Sequence, residues 1–165
     1  MSKFIKGLLF AALIIAIEYL TSEKNIITAN AEEKIKVVDG DSLEIGGRRI
    51  RLLGIDSPEY RQSCYDRHHK RYSCGIKAKQ YMEKLVSAGN VECRENGTDR
   101  YKRSLCVCYS GETDLNEEMV RSGWAVAYRD EGNIYRRAEK DAKKHRRGIW
   151  QGKFMRPELY RFLNK

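Results

Sequence analysis

Proline is scarce in this chain, with 2 in 165 residues, and histidine nearly so, with 3. So little proline excludes a proline-rich linker or a collagen-like strand. Nor is there an apolar run that could cross a membrane. The stretch from Gly7 to Ile17 is 11 residues long, whereas a bilayer core needs about 20. No segment recurs at a solenoid period, and no tract is of low complexity. With 41% hydrophobic and 33% charged residues, the composition is that of one folded domain able to bury a core. What the chain has in excess is positive charge: 32 Lys and Arg against 23 Asp and Glu, a formal net charge of +9. Such an excess points to polyanions, whether nucleic acid, an anionic membrane surface or acidic glycans. Charge that serves only solubility is the plainer reading.

The apolar stretch follows Lys3 and Lys6 and is ended by Glu18, the layout of a signal-peptide core. Ala29-Asn30-Ala31 has the small-x-small pattern of a cleavage site. Residues 1–31 are therefore expected to be a signal peptide, with Glu32 the first mature residue and the protein secreted or periplasmic. The segment after Glu18 is long for such a peptide, so a retained N-terminal anchor, with Tyr19 and Leu20 extending the apolar run, is the alternative. Outside the cytoplasm, the 5 cysteines should pair with one left over. Cys64 and Cys74 would close a short loop, and Cys93 would pair with Cys108 across two strand-like runs. Cys106 is then the odd thiol, although it could replace Cys108. Cys64, His68, His69 and Cys74 also offer zinc-ligand chemistry, but their spacing fits no regular finger.

Polar and apolar residues alternate through Lys34–Val38, Ser42–Ile45 and Arg48–Leu53, with Gly46-Gly47 as a hairpin signal. Val91–Arg94 and Leu105–Tyr109 read as two more strands, with a turn expected at Glu95–Thr98. Helical spacing follows at Ile76–Val86, at Leu115–Val120 ending at Gly123, and from Ile134 to Arg147 with Gly148 as its cap. The expected fold class is α+β: a five-stranded barrel with three helices over residues 32–152, and a basic and aromatic tail at residues 153–165.

Three segments hold polar residues that such a scaffold does not need: Val37-Val-Asp-Gly-Asp41-Ser42, Arg51-Leu-Leu-Gly-Ile-Asp56-Ser57-Pro58-Glu59 and Asp99-Arg100-Tyr101-Lys102-Arg103. Ile50 and Leu52 share one strand face, so Arg51 points the other way, either to solvent or onto an anion. Asp-Gly is ordinary turn chemistry when taken alone. Gathered together, however, Asp41, Asp56 and Glu59 would repel one another unless a cation neutralised them. Oxygen donors without His or Cys favour calcium or magnesium over zinc.

In order and spacing the three segments resemble the staphylococcal nuclease (thermonuclease) family. Leu115-Asn116-Glu117, Gly123-Trp-Ala125 and Gly148-Ile-Trp150 extend the resemblance over about residues 34–150. It implies an OB-fold Greek-key barrel with three helices and a calcium-dependent endonuclease that hydrolyses DNA and RNA to 3′-phosphate products, single-stranded or unstacked regions being preferred. By position, Asp41, Asp56 and the Ser57 carbonyl would hold calcium. Glu59 would serve the attacking water, and Arg51 and Arg103 the scissile phosphate. Arg100, Tyr101 and Tyr128 would contact a neighbouring phosphate. A monomer with no protein partner is implied, and the alternative is an OB module that binds nucleic acid without cutting it. One position departs from the pattern: Lys102 stands where the family usually has Gly, which matters if that site needs positive φ. Two basic features could add grip on a strand, the Tyr60–Cys74 loop and the last helix with Arg136, Arg137, Lys140, Lys143, Lys144, Arg146 and Arg147. Nothing resembles a base-reading device, so weak sequence preference is expected.

Overall fold

The computed structural model describes residues 26–29, 34–130 and 132–164. The apolar N-terminal stretch and Asn30-Ala31 lie outside them. The main sheet contains β1 (Ile26–Thr28), β2 (Lys36–Asp39), β3 (Ser42–Ile45), β4 (Arg48–Leu52), β8 (Val91–Thr98) and β9 (Ser104–Ser110). Their spatial order is β1-β8-β9-β4-β3-β2, and β10 (Thr113–Asp114) pairs with β9. Four of the pairings along that path are antiparallel, while β4 and β9 run parallel, Arg51 beside Leu105. Ile27 and Val37 sit on the two outermost strands, yet both belong to one core with Leu43, Ile50, Leu52, Val91 and Cys106. A flat sheet would hold them strands apart, so the sheet curls around that core.

The helices are α1 (Cys74–Val86), α2 (Leu115–Arg121), α3 (Arg136–Lys144) and α4 (Pro157–Leu163). Ala78 and Met82 bury one face of α1 in the barrel core, and Leu115, Met119 and Val120 do the same for α2. Asp114 caps α2, its carboxylate accepting from the Glu117 N–H at 2.9 Å. Asn116, fully buried, accepts from the Cys108 N–H at 3.1 Å and donates to the carbonyls of Leu53 at 2.9 Å and Cys106 at 3.1 Å. One amide side chain thus joins α2 to the end of β4 and to the middle of β9.

The architecture is the expected α+β class, and four local features differ from the sequence reading. Asn96-Gly97 is not a hairpin tip. The strand continues to Thr98 through an irregularity between Glu95 and Thr98, and the chain turns at residues 99–103. Second, α3 stops at Lys144, and Arg146 takes a φ of 51°. Third, a helix beyond the three expected lies in the tail: Lys153 bridges Tyr65, and Pro157 begins a fourth helix. Fourth, Ile26–Thr28, upstream of the expected cleavage point, form β1 on the edge of β8. There Ile27 is buried, and the Ala29 N–H donates to the Val91 carbonyl at 3.1 Å.

Both expected disulfides are present, Cys64–Cys74 and Cys93–Cys108, with Cys106 free and buried. The first closes a hairpin of β6 (Cys64–Tyr65) and β7 (Arg71–Tyr72). Its sulfurs are therefore unavailable as thiolate ligands, which removes the zinc reading of this loop.

Candidate active site

The first two polar segments meet at one end of the barrel. Asp39 makes a tight turn, its carboxylate accepting from the Asp41 N–H at 3.0 Å. Asp41 then points back under Ser57, whose N–H donates to its carboxylate at 2.6 Å. Gly40 permits this approach: a Cβ there would stand 2.1 Å from the Ser57 Oγ and 2.9 Å from the Ala78 Cβ. Asp56 lies on β5 (Ile55–Asp56), which pairs with β11 (Val126–Ala127), Val126 opposite Asp56. Two residues further on, the Tyr128 N–H donates to the Gly54 carbonyl at 2.9 Å, so Tyr128 flanks the same loop.

Arg51 joins the acids. One terminal nitrogen of its guanidinium donates to Asp41 and the other to Asp56, the latter at 2.7 Å. Its side chain is 13% exposed, against 1% for Asp41 and 0% for Asp56. It does point away from the barrel core, as the alternation requires, but into a covered acidic floor rather than into open solvent. Burial is the main force raising the Asp41 pKa well above the ordinary carboxylate range; Arg51 opposes it, and Asp39 and Asp56 add to it. Burial alone would lower the Arg51 pKa, but Asp41 and Asp56 outweigh it and raise it.

Glu59 stands at the mouth of this floor, 32% exposed. Its backbone is held by Gln62, a fully buried residue that the sequence reading missed. The Gln62 side chain accepts from the Glu59 N–H at 3.2 Å, its own N–H donates to the Glu59 carbonyl at 2.7 Å, and its amide donates to the Met155 carbonyl at 2.7 Å. The start of α1 presses on the same loop: a Cβ at Gly75 would come within 1.8 Å of the Glu59 carbonyl oxygen.

A second unforeseen residue is Arg161, from α4. One of its terminal nitrogens donates to Asp56 at 2.7 Å and to Glu59 at 2.8 Å, and the other donates to Asp56 at 3.1 Å. Burial would lower the Arg161 pKa, but its bonds to Asp56 and Glu59 raise it, so the guanidinium stays charged.

The third segment forms its own cluster. Asp99 accepts from the N–H groups of Tyr101 at 2.8 Å and Arg103 at 3.0 Å, and from the Arg103 Nε at 2.8 Å. Burial works to raise the Asp99 pKa, and these bonds overcome it, keeping the carboxyl below its usual range. Arg100 and Arg103 lie 4.8 and 5.7 Å from the centre of the exposed Tyr101 ring. Lys102 takes a φ of 61°, so this turn does require the left-handed conformation and lysine adopts it. Arg103 pairs with Asp99, not with Asp41 or Asp56. Arg103 itself ends the turn, one residue before β9, whose Leu105 lies beside Arg51. A cleft of about 370 Å³ beside this turn, lined by Arg48, Arg49, Glu95 and Lys102, is a separate basic recess.

Among the described residues, no three His, Cys, Asp or Glu side chains converge closely enough to hold a metal by themselves. The donor chemistry nevertheless suits a hard divalent cation. Two buried carboxylates share one guanidinium, and a large oxygen-seeking ion completes its shell with backbone oxygen and water.

Residues 49–152, more than half of the chain, match the family model described as staphylococcal nuclease homologue. The chain belongs to the staphylococcal nuclease family. Membership places it among nuclease-type hydrolases; the second and third polar segments fall within the matched stretch, and the first, with Asp41, lies just before it. Among relatives, the succinoglycan biosynthesis protein ExoI of Rhizobium meliloti is 36% identical over 119 residues, covering 70% of this chain and 62% of its own length. An uncharacterized endonuclease of Haemophilus influenzae is 33% identical, covering 76% of this chain and 71% of that one. A micrococcal nuclease of Shigella flexneri is 32% identical, with 72% of each chain covered. This staphylococcal nuclease family member carries α4 and Arg161 beyond the end of the matched stretch.

Proposed function

We propose that this protein is an exported, calcium-dependent endonuclease that hydrolyses phosphodiester bonds of DNA and RNA and leaves 3′-phosphate ends. The observation that carries this reading is the joining of Asp41 and Asp56 through the two nitrogens of Arg51, with Glu59 at the mouth of the same acidic floor. Asp41, Asp56 and the Ser57 carbonyl are the residues that would hold calcium, which when bound cancels charge on the phosphate and its surroundings.

The chain's own groups account for the other steps. Arg51 turns to the phosphate oxygens the N–H donors that Asp41 and Asp56 leave free, and Arg103 supplies the second fork from the turn before β9. Arginine suits both positions because its planar donors match two oxygens at once and stay ionised. As water adds to phosphorus, the five-coordinate centre gains negative charge, and the two forks stabilise it more than they stabilise the substrate. A Glu59 oxygen takes the proton of the attacking water. The bond from phosphorus to the 5′ oxygen then breaks, and that oxygen takes up a proton as it leaves. Arg100, Tyr101 and Tyr128 contact the neighbouring phosphate. A strand that is already unstacked reaches this recess without paying to open a duplex, which favours single-stranded regions. The substrate's attraction to the basic surface weakens with salt.

The test is digestion of single-stranded DNA by the purified protein with calcium, then with a chelator, then with calcium restored. Cleavage that stops and resumes supports the reading; cleavage indifferent to chelation refutes the calcium assignment.

A further inference from the structure

Arg161 is left unexplained by that chemistry. Of the acids bonded to the two guanidiniums, Asp41, Asp56 and Glu59 would when ionised carry three negative charges against the single positive charge of Arg51, and Arg161 lowers that deficit to one. A divalent cation in place of Arg161 would close it. The guanidinium of Arg161 bonds both oxygens of Asp56 and one of Glu59, so it stands where a cation shared by these acids would be drawn. Asp56 cannot offer the same oxygens fully to Arg51, Arg161 and a metal at once.

The contact is built in. The segment before α4 is fastened to the Glu59 loop by the Gln62 bond to the Met155 carbonyl. It is also fastened by the two-way backbone bridge between Tyr65 and Lys153, at 2.8 and 3.0 Å. Gly152 lies so close to the disulfide-closed hairpin that a Cβ there would stand 2.1 Å from the Tyr65 carbonyl oxygen. Tyr160 donates to the Arg61 carbonyl at 3.4 Å, one position before Arg161.

Resting on the calcium reading above, we propose that Arg161 is a positioning residue that holds Asp56 and Glu59 in place of the divalent cation and is exchanged for it. The metal-free site is thereby kept from collapsing or repelling itself open, and the protein's calcium affinity is set by the strength of the arginine contact. Exchange also frees Glu59 from its guanidinium partner, so the base becomes available when the metal arrives. The carboxylates are organised in either state, with one cation substituted for the other.

The test uses calorimetric calcium titration and thermal unfolding of the full chain, comparing wild type with Arg161→Gln and Arg161→Lys. Loss of a charge-assisted competitor is expected to tighten calcium binding by roughly tenfold or more in Arg161→Gln. Arg161→Lys, which keeps the charge, should lie closer to wild type. Arg161→Gln should also lower the melting temperature in chelator and recover most of that loss in saturating calcium. A purely structural arginine would cost the same in both conditions and leave calcium affinity alone, and that result overturns the exchange. Should wild type bind calcium while Arg161→Gln binds it equally or more weakly, the exchange fails and the calcium reading stands. Absence of calcium binding in all three proteins would overturn both.

Discussion

Lys102 supplies the sharpest stability test, because its backbone is in the left-handed region at a φ of 61° while its side chain is exposed. For a residue with a Cβ, that conformation costs about 1–2 kcal/mol. Glycine removes the cost but gives back about 0.5–1 kcal/mol through greater freedom of the unfolded chain. Lys102→Gly should therefore stabilise the protein by about 0.5–1 kcal/mol, or roughly 1–4 °C in melting temperature for a domain of this size. Charge complicates the comparison with wild type, since Lys102 shares a cleft with Arg48 and Arg49 and its removal relieves repulsion. Lys102→Ala is the control: it loses the same charge and keeps the strained Cβ. Urea unfolding of the two variants under one buffer isolates the backbone term. A Gly variant no more stable than the Ala variant would refute the argument.

Two further outcomes test the edges of the fold. Ile27 is 7% exposed on an edge strand, so Ile27→Ala should cost about 2 kcal/mol in urea unfolding, and a chain starting at Glu32 should lose at least as much. Equal stability of that shorter chain would mean that β1 contributes nothing. Asp99→Asn should destabilise by about 1–2 kcal/mol at pH 7, since it loses the charge that accepts from Arg103. Because the folded pKa of Asp99 is depressed, its stabilisation is present above the ordinary carboxylate pKa and is lost as pH falls through the folded value. The gap between wild type and variant should therefore shrink in urea unfolding at pH 3, and a constant gap would contradict the assignment.

The strands between Lys34 and Leu53 were legible because alternation there is regular and Gly46-Gly47 punctuates it. The nearness of Asp41 to Asp56 came from the family resemblance and not from the strand pattern, which says only that both lie in turns at strand ends. Asn96-Gly97 misled because this common hairpin pair sits inside a bulge, while the turn itself depends on what Asp99 can cap, four residues from Arg103. Ile26–Thr28 lay hidden inside a segment that also satisfies a processing pattern. Arg161 gave no sign of itself. Its helix is seven residues long and leaves its apolar residues Leu159 and Leu163 exposed, so the apolar pattern does not mark the face that carries Arg161 into the site. Gln62 was equally silent, since a buried amide declares itself only through partners brought from Glu59 and Met155.

The parallel pairing of β4 with β9 has a consequence for when this molecule becomes dangerous. Ile50 and Ser104 are 54 positions apart in the chain, and a contact of that span closes late because its loop entropy must be met first. Until it closes, the turn that carries Arg103 is not held beside the strand that carries Arg51. On the proposed roles, a nascent or truncated polypeptide that ends before β9 would carry the acidic turn without the strand that sets Arg103 near Arg51, and nucleic acid in the cell that makes it would meet only an unfinished tool.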